Sequence, residues 1–292
     1  MNAKFETLVA KAPYGLAEPL SPLVRRVLAR NPSPFTFTGT GTYIVGQGTV
    51  AIIDPGPADP AHLDAVAQAV AGERVSHHVI THTHRDHSPG AIPLRARLGG
   101  AIVGCAPLAL ADDGPRADAG FDPDYAPDRV LADGDAIAGD GWTLRALHTP
   151  GHTSNHLCFA LEEEAALFSG DHVMGWSTTV VAPPDGDMAA YMASLKRLLG
   201  RADRRYYPTH GAPVDEPQRF VKGLIAHRRQ RETQILGQLS AGPRAIEPMV
   251  EQMYASVDRR LWPAAGRSVL AHLLDLEARG AVVRAGDEWR VA

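Results

Sequence analysis

Thr81-His82-Thr83-His84-Arg85-Asp86-His87 is the stretch on which the fold of this chain turns. Residues 75–81 before it (VSHHVIT) form a short apolar run with β-branched side chains, the pattern of a buried strand. The cluster therefore sits just past a strand end, where the backbone is free to turn several side chains toward one point. Residues two apart on an extended segment face the same side, so His82 and His84 can grip one ion together. Asp86 and His87 follow after a turn that swings them toward a second ion. Neutral imidazole and carboxylate suit zinc, and also iron or manganese. A merely solvated loop has no need of so many ligand-type residues so close together.

Working outward, three more residues of the same kind stand at matching places. His152 lies in the Thr149-Pro150-Gly151-His152-Thr153 turn, after a strand expected at 142–147. Asp171 follows an apolar run at 165–168 and the Ser169-Gly170 turn, where glycine permits close backbone approach. His210 follows Tyr206-Tyr207-Pro208-Thr209 and precedes Gly211. Each is expected at a strand's C-terminal end or in the turn after it, the usual place for sites on layered α/β folds.

The HxHxDH run at 82–87, with the PGHT, SGD and PTHG turns, resembles the metallo-β-lactamase superfamily. The segments 31–35 (NPSPF), 39–43 (GTGTY) and 52–56 (IIDPG) are similar to the opening hairpins of that superfamily. A narrower resemblance, covering nearly the whole chain, is to the β-lactamase-like endoribonuclease group, which carries a winged-helix tail. The resemblance implies an α/β fold: an αββα sandwich followed by a small C-terminal winged-helix domain. It also implies a dinuclear centre, with zinc expected and Mn²⁺ or Fe²⁺ as alternatives. His82, His84 and His152 would hold the first ion, and Asp86, His87 and His210 the second, with Asp171 bridging. A water shared by two divalent ions loses a proton readily, because a bound metal lowers its pKa from 15.7 to about 7, and the resulting hydroxide is the expected nucleophile. Asp86 and His172 are the expected catalytic side chains, His172 as proton donor to the leaving group. Asp54 is a candidate to accept a hydrogen bond from a ligating imidazole. His156 is placed near the site by its spacing from His152. His77, His78, His148 and His227 carry no comparable pattern.

Departures from relatives narrow the chemistry. Asp171 stands where antibiotic-hydrolysing relatives tend to carry Cys or Ser. His84 stands where diiron oxygen-reducing relatives tend to carry Glu. Only 38 residues separate Asp171 from His210, too few for the large inserted domain of the RNA- and DNA-trimming relatives.

The 292 residues are enough for one large domain and a small one, divided here as 1–214 and 215–292. The net charge of −4 argues against a generally basic nucleic-acid binder. No stretch approaches the roughly 20 apolar residues of a membrane span, and nothing near the N-terminus has the apolar core of a signal peptide, so a cytoplasmic location and no membrane partner are expected. Cys105 and Cys158 stand in unlike contexts, and Cys158 reads as a small buried hydrophobe.

The pattern predicts strands within 35–54, helices over 61–71, 91–98 and 188–199, and a surface loop over 111–128 that borders the site. Helices over 218–239, 245–255 and 267–279, then a hairpin over 281–291, make the winged helix. Residues 215–292 hold 12 basic and 10 acidic side chains, so the tail is only mildly positive. It either reads nucleic acid or packs on the catalytic domain or on a second subunit of a homodimer. The first expectation for function is cleavage of a single-stranded RNA phosphodiester by a metal-dependent hydrolase. The alternative keeps the site and changes the bond to a thioester, lactone or other small ester, as in glyoxalase II-like relatives. A narrow dry pocket would favour the small acyl substrate and an open basic groove would favour RNA. An iron-dependent persulfide dioxygenase shares much of the ligand set and stands third.

Overall fold

The computed structural model describes residues 3–108 and 120–292. Positions 111–119 of the expected surface loop lie outside these described residues. The first half of the chain runs α1 (Ala3–Lys11), β1 (Ala17–Pro19), β2 (Val24–Leu28), β3 (Gly41–Val45), β4 (Thr49–Ile53), α2 (Pro60–Ala69), β5 (Arg74–Ile80), α3 (Ala91–Leu98), β6 (Ala101–Gly104) and β7 (Arg129–Val130). These strands form a seven-stranded sheet in sequence order. Then come β8 (Ala136–Gly139), β9 (Trp142–His148), β10 (Leu157–Leu161), β11 (Ala166–Gly170), α4 (Met188–Leu199) and β12 (Arg205–Pro208). They build a five-stranded sheet ordered β12-β11-β10-β9-β8.

The central strands β3, β4, β10 and β11 are buried along their whole length because both faces of each sheet are covered there. Along β3 and β4, Tyr43, Val45, Ala51 and Ile53 point between the sheets, where they meet Phe159 and Phe168. The alternate residues Ile44, Val50 and Ile52 point outward and pack beneath Leu63 and Val66 of α2 and Leu94 of α3. In β10, Leu157, Phe159 and Leu161 face inward, whereas Cys158 and Ala160 pack toward Leu195 and Leu198 of α4. This period of two fixes the layers as helix, sheet, sheet, helix. Two polar ties lock the sheets: the Tyr43 hydroxyl donates to the Pro208 carbonyl at 2.6 Å, and the Trp142 indole N–H donates to the Thr49 carbonyl at 2.8 Å.

The C-terminal unit comprises α5 (Pro217–Leu239), α6 (Ile246–Met253), α7 (Trp262–Ala278), β13 (Val282–Ala285) and β14 (Glu288–Val291). It has its own core of Ile235, Leu239, Met249, Val269, Leu273 and Trp289. One end of α5 belongs to the catalytic layers instead, with Val221, Leu224 and Ile225 in the core beneath α4.

Two details differ from the pattern reading. Residues 35–40 are not strand; Asn31 holds them as a loop by accepting from the Thr40 amide and donating to its hydroxyl, both at 2.9 Å. Helix α7 begins at Trp262 rather than at 267, because Pro263 falls in the first turn, where its missing N–H leaves no helical bond unmade.

Parallel pairing positions the site. β4 runs parallel to β5, and β11 parallel to β12, so the C-terminal ends of all four strands emerge at one edge of the sandwich. The first residues past those ends are Asp54, Thr81, Asp171 and Thr209.

Candidate metal centre

The loop after β5 delivers His82, His84, Asp86 and His87; the turn after β9 delivers His152; Asp171 and His210 follow β11 and β12. The structure brings these seven buried side chains together in two groups, His82, His84, His152 and Asp171 in one and Asp86, His87 and His210 in the other. Within each group the ligand-type atoms all lie within 4.8 Å of one another. Asp171 stands between the groups: its Oδ2 is 3.3 Å from His210 Nε2, 3.6 Å from His87 Nε2 and 3.7 Å from His152 Nε2.

Outer hydrogen bonds assign four of the five rings their tautomers. The Thr81 hydroxyl donates its only proton to Asp54 Oδ2 at 2.8 Å, so it accepts from His82 Nδ1–H at 3.0 Å. His152 Nδ1–H donates to the Val180 carbonyl at 2.6 Å, and His210 Nδ1–H to the Gly39 carbonyl at 3.2 Å. His87 Nδ1–H donates to Asp54 Oδ2 at 2.9 Å. Each bond turns an Nε2 lone pair inward, the usual way outer partners aim ligating imidazoles. Asp54 thus fills the role expected for it. It is held rigidly by the Thr81 amide as well, in a left-handed backbone conformation with φ +45°.

A cation fits these atoms better than protons do. His84 Nδ1 lies 3.0 Å from His82 Nε2 and 3.1 Å from His152 Nε2, so lone pairs of three rings converge on one point. Tetrahedral ligands 2.0–2.1 Å from a zinc ion stand about 3.3 Å apart, close to this spacing. In the other group, His87 Nε2 is buried with no hydrogen-bond partner among the described residues, and so is Asp171 Oδ1 between the groups. With protons in place of a cation, the charges sort themselves accordingly. Burial, then the neighbouring rings of His87, His84 and His152, hold His82 well below its ordinary pKa. For His210, burial pulls downward, but Asp171 and Asp86 outweigh it and raise the group to about 10. His87 is raised by the same two carboxylates and Asp54 against its burial. Asp86 and Asp171 are held below the usual carboxylate range, because the facing imidazoles outweigh the cost of burial.

The centre opens into a cavity of about 290 Å³, lined at this end by His84, Asp86, His152, Asp171 and His210. Its walls are the loop around Phe35, the segment from Met174 to Val180, and the winged-helix unit, through Tyr254, Val257, Leu261 and Ala265. The winged helix is clamped on this segment: Arg228 of α5 donates to the Thr179 carbonyl at 2.6 Å and Arg267 of α7 to the Pro183 carbonyl. Sequence reading missed this wall, because no periodicity tells which surface a helical unit docks on.

His172 does not reach the cavity. It is fully buried, packs against Tyr191 of α4 at 4.7 Å between ring centroids, and its burial lowers its pKa to about 3. A fully buried ring that does not line the cavity cannot reach a leaving group there, so the expected donor role fails. His156 is also fully buried, and its Nε2 accepts from the Asp171 amide at 3.2 Å, which positions the central carboxylate through its backbone. Of the expected border loop, Phe121 stacks on the His84 ring at 4.9 Å and Asp122 accepts from the Ser88 hydroxyl at 2.7 Å. Thr40, unremarked in the sequence, donates to Asp86 Oδ2 at 3.0 Å.

Comparison with known proteins agrees with this architecture. Residues 36–210 match the family model described as metallo-beta-lactamase superfamily, and residues 245–289 match the beta-lactamase associated winged helix domain. A Drosophila melanogaster protein named beta-lactamase-like protein 2 homolog is 35% identical over 277 residues, covering 89% of this chain and 90% of that protein. An atrochrysone carboxyl ACP thioesterase of Cryptosporiopsis is 35% identical over 225 residues, 75% of this chain, and the match spans 63% of that protein's length. Another thioesterase of the same name, from Aspergillus novofumigatus, is 34% identical over 82% of this chain and 72% of its own length. Among solved structures, a beta-lactamase domain protein from Burkholderia ambifaria shares the fold with a TM-score of 0.76 at 22% identity, over 100% of this chain and 99% of that one. No helix among the described residues is long and apolar enough to cross a membrane. The chain belongs to the metallo-beta-lactamase superfamily of metal-dependent hydrolases and carries the winged helix associated with it.

Proposed function

We propose that the chain hydrolyses a thioester or a closely related small acyl ester, with two divalent metal ions, zinc by preference. The observation that carries this reading is the cavity: about 290 Å³, walled on one side by apolar residues of the winged helix, and leading to the paired His/Asp groups. Relatives named as thioesterases support it. His82, His84 and His152 would hold one ion, and Asp86, His87 and His210 the other, with Asp171 shared. When bound, such a pair supplies a water of lowered pKa and polarises a carbonyl oxygen. The chain's own part is to orient and to exclude solvent. Asp86 stays ionised, its Oδ2 fixed by Thr40 and His210, so that it offers an acceptor for a hydrogen of the attacking water. Phe35 and Trp176 flank the mouth, and Val257 and Leu261 keep the acyl end dry.

Leaving-group chemistry favours the same choice. His227 is the imidazole outside the metal set that lines the cavity among the described residues, and burial lowers its pKa to about 4. Among the described residues, no carboxylic acid outside the metal set lines it either. A thiol of pKa about 8.5 departs as thiolate without a donated proton, whereas an alkoxide leaving RNA needs one. The test is a panel of S-acyl-N-acetylcysteamine thioesters and S-D-lactoylglutathione beside a short single-stranded RNA, each with and without chelator. Chelator-sensitive turnover of a thioester, at least a hundredfold above the RNA rate, is expected. Chelator-sensitive cleavage of RNA with no ester turned over would overturn the proposal in favour of the phosphodiesterase.

A further inference from the structure

The cavity has a second chemical end. On one face of α5, His227, Arg228 and Arg231 all line it, with Ser268 of α7 opposite. Arg228 is only 4% exposed. One of its terminal nitrogens is used on the Thr179 carbonyl and the guanidinium lies over the Tyr191 ring at 5.2 Å, but its Nε–H is buried with no acceptor among the described residues. Arg231 donates from Nε to His227 Nε2 at 3.3 Å, which fixes the proton of His227 on Nδ1, and that buried Nδ1–H also has no acceptor among the described residues. The other bonds of Arg231 go to neutral oxygens, Gln234 Oε1 at 2.9 Å and the Met253 carbonyl at 3.2 Å. Neither guanidinium has a carboxylate within ion-pair distance among the described residues, although other arginines of the chain find one, such as Arg25 with Glu73.

A buried cation without a counter-ion, beside orphaned donors, is costly unless something else supplies negative charge and acceptors. The missing group is acceptor-only and anionic, and it has to enter by the cavity. Resting on the reading of the site as an acyl hydrolase, we propose that His227, Arg228 and Arg231 bind a carboxylate at the end of the substrate remote from the scissile bond. The substrate class is then a thioester of a dicarboxylic acid, its free carboxylate held at α5 and its acyl carbon at the metals. Planar guanidinium suits carboxylate through paired N–H donors, which explains two arginines at this wall in place of lysines.

The experiment compares binding by calorimetry to the metal-loaded full-length protein of dicarboxylates from succinate to suberate against monocarboxylates of equal chain length. The monocarboxylate accounts for affinity at the metals alone. At least one dicarboxylate should bind roughly tenfold tighter than its monocarboxylate partner, the gain of one charge-assisted contact. Arg231→Gln should abolish that ratio and Arg231→Lys should restore part of it; Arg228→Gln, checked for a native melting profile, should act like Arg231→Gln. A ratio near one for every chain length in the unaltered protein, or a ratio unchanged by Arg231→Gln, overturns the subsite and leaves water as the partner of these donors. Hydrolysis is read separately, as kcat/KM for glutaryl against hexanoyl N-acetylcysteamine thioesters. Arginine-dependent dicarboxylate binding with no thioester turnover would retain the anion subsite and reject the acyl-hydrolase reading. Turnover that favours the hexanoyl ester would reject the subsite alone.

Discussion

At the scale of single residues, the centre depends on carbonyls and carboxylates one bond behind the ligands. Asp54 accepts from His87 Nδ1, from the Thr81 amide and from the Thr81 hydroxyl, and the hydroxyl in turn fixes His82. Asp54→Asn keeps the shape but places an amide donor against one of those donors. Metal affinity is expected to fall about 10- to 100-fold, with the ion at Asp86, His87 and His210 lost first, as read by metal content after dialysis against graded chelator. Unchanged occupancy would mean that Asp54 only caps its turn. Protons compete for the same atoms. In the metal-free protein His210 titrates at about 10 and His87 also lies above its ordinary value, so at neutral pH both carry protons that a cation must displace. Lowering the pH strengthens that competition and raising it relieves it. Apparent affinity for the second ion should therefore rise between pH 6 and 8 by about tenfold per pH unit for each proton displaced. Competition with a chelating dye, corrected for the dye's own titration, checks the slope; a flat profile would mean these two rings are already unprotonated. All seven ligand-type residues were legible in sequence because His and Asp at strand ends have few other uses. The Val180 and Gly39 carbonyls that aim His152 and His210 were not, because every residue has a carbonyl and only the fold says which one faces a ring. His172 misled for the opposite reason: adjacency to Asp171 in the chain says nothing about the side to which the next side chain turns.

At the scale of elements, short apolar runs rich in β-branched residues made β5 and the β3–β4 hairpin readable, whereas β1 and β2, with Glu18, Pro19, Arg25 and Arg26 among a few residues, show no apolar run. Arg26 lies against the sandwich by bonding Glu18 and the Gly211 carbonyl, a tertiary arrangement with no local signature. Helix α7 carries a feature that only structure exposes. His272 is 3% exposed, neither ring nitrogen has a partner among the described residues, and burial lowers its pKa to about 3, with the positive charges of Arg228 and Arg279 adding to the effect. In the unfolded chain the same ring titrates near 6.5. Above pH 6.5 it is neutral in both states and costs nothing by this route. As the pH falls from 6.5 toward 3, the unfolded chain gains a proton that the folded one refuses, and stability declines. The decline is bounded at about 4–5 kcal/mol for one such ring. His272→Leu should flatten the acid limb of the melting temperature over pH 6 to 4 while leaving its value at pH 8 within a few degrees. A parallel, undiminished acid limb would show that other groups, such as His62, set the decline.

At the scale of the whole molecule, the cavity belongs to neither unit alone. The sandwich supplies the paired His/Asp groups and the Phe35 and Met174–Val180 walls, and the winged helix supplies the far wall. The face of α7 that carries Ala264, Ala265 and Ser268 is turned into the cavity, while Ala271 of the same helix packs in the core beneath α4. This packing was one of the arrangements open for the tail. The mild charge of the tail gave no means of choosing among them, since a helix that packs and one that reads a groove can have the same composition. Joint ownership of the cavity makes a separable prediction. Ala264 is half-buried on the cavity side of α7, far in sequence from every ligand. Ala264→Trp adds an indole to the far wall and leaves the strand ends untouched. Turnover of the best thioester should fall at least a hundredfold, the range expected when a filled pocket denies the substrate its bound geometry. Metal content should stay at the unaltered level, and the melting temperature should hold to within a few degrees if the new ring occupies the cavity. Ala264→Ser, which adds a single oxygen, should lose far less activity. If Ala264→Trp kept full activity with a native melting profile, the acyl group would have to approach the metals by another route, and the winged helix would be a support for the sandwich with no part in choosing its substrate.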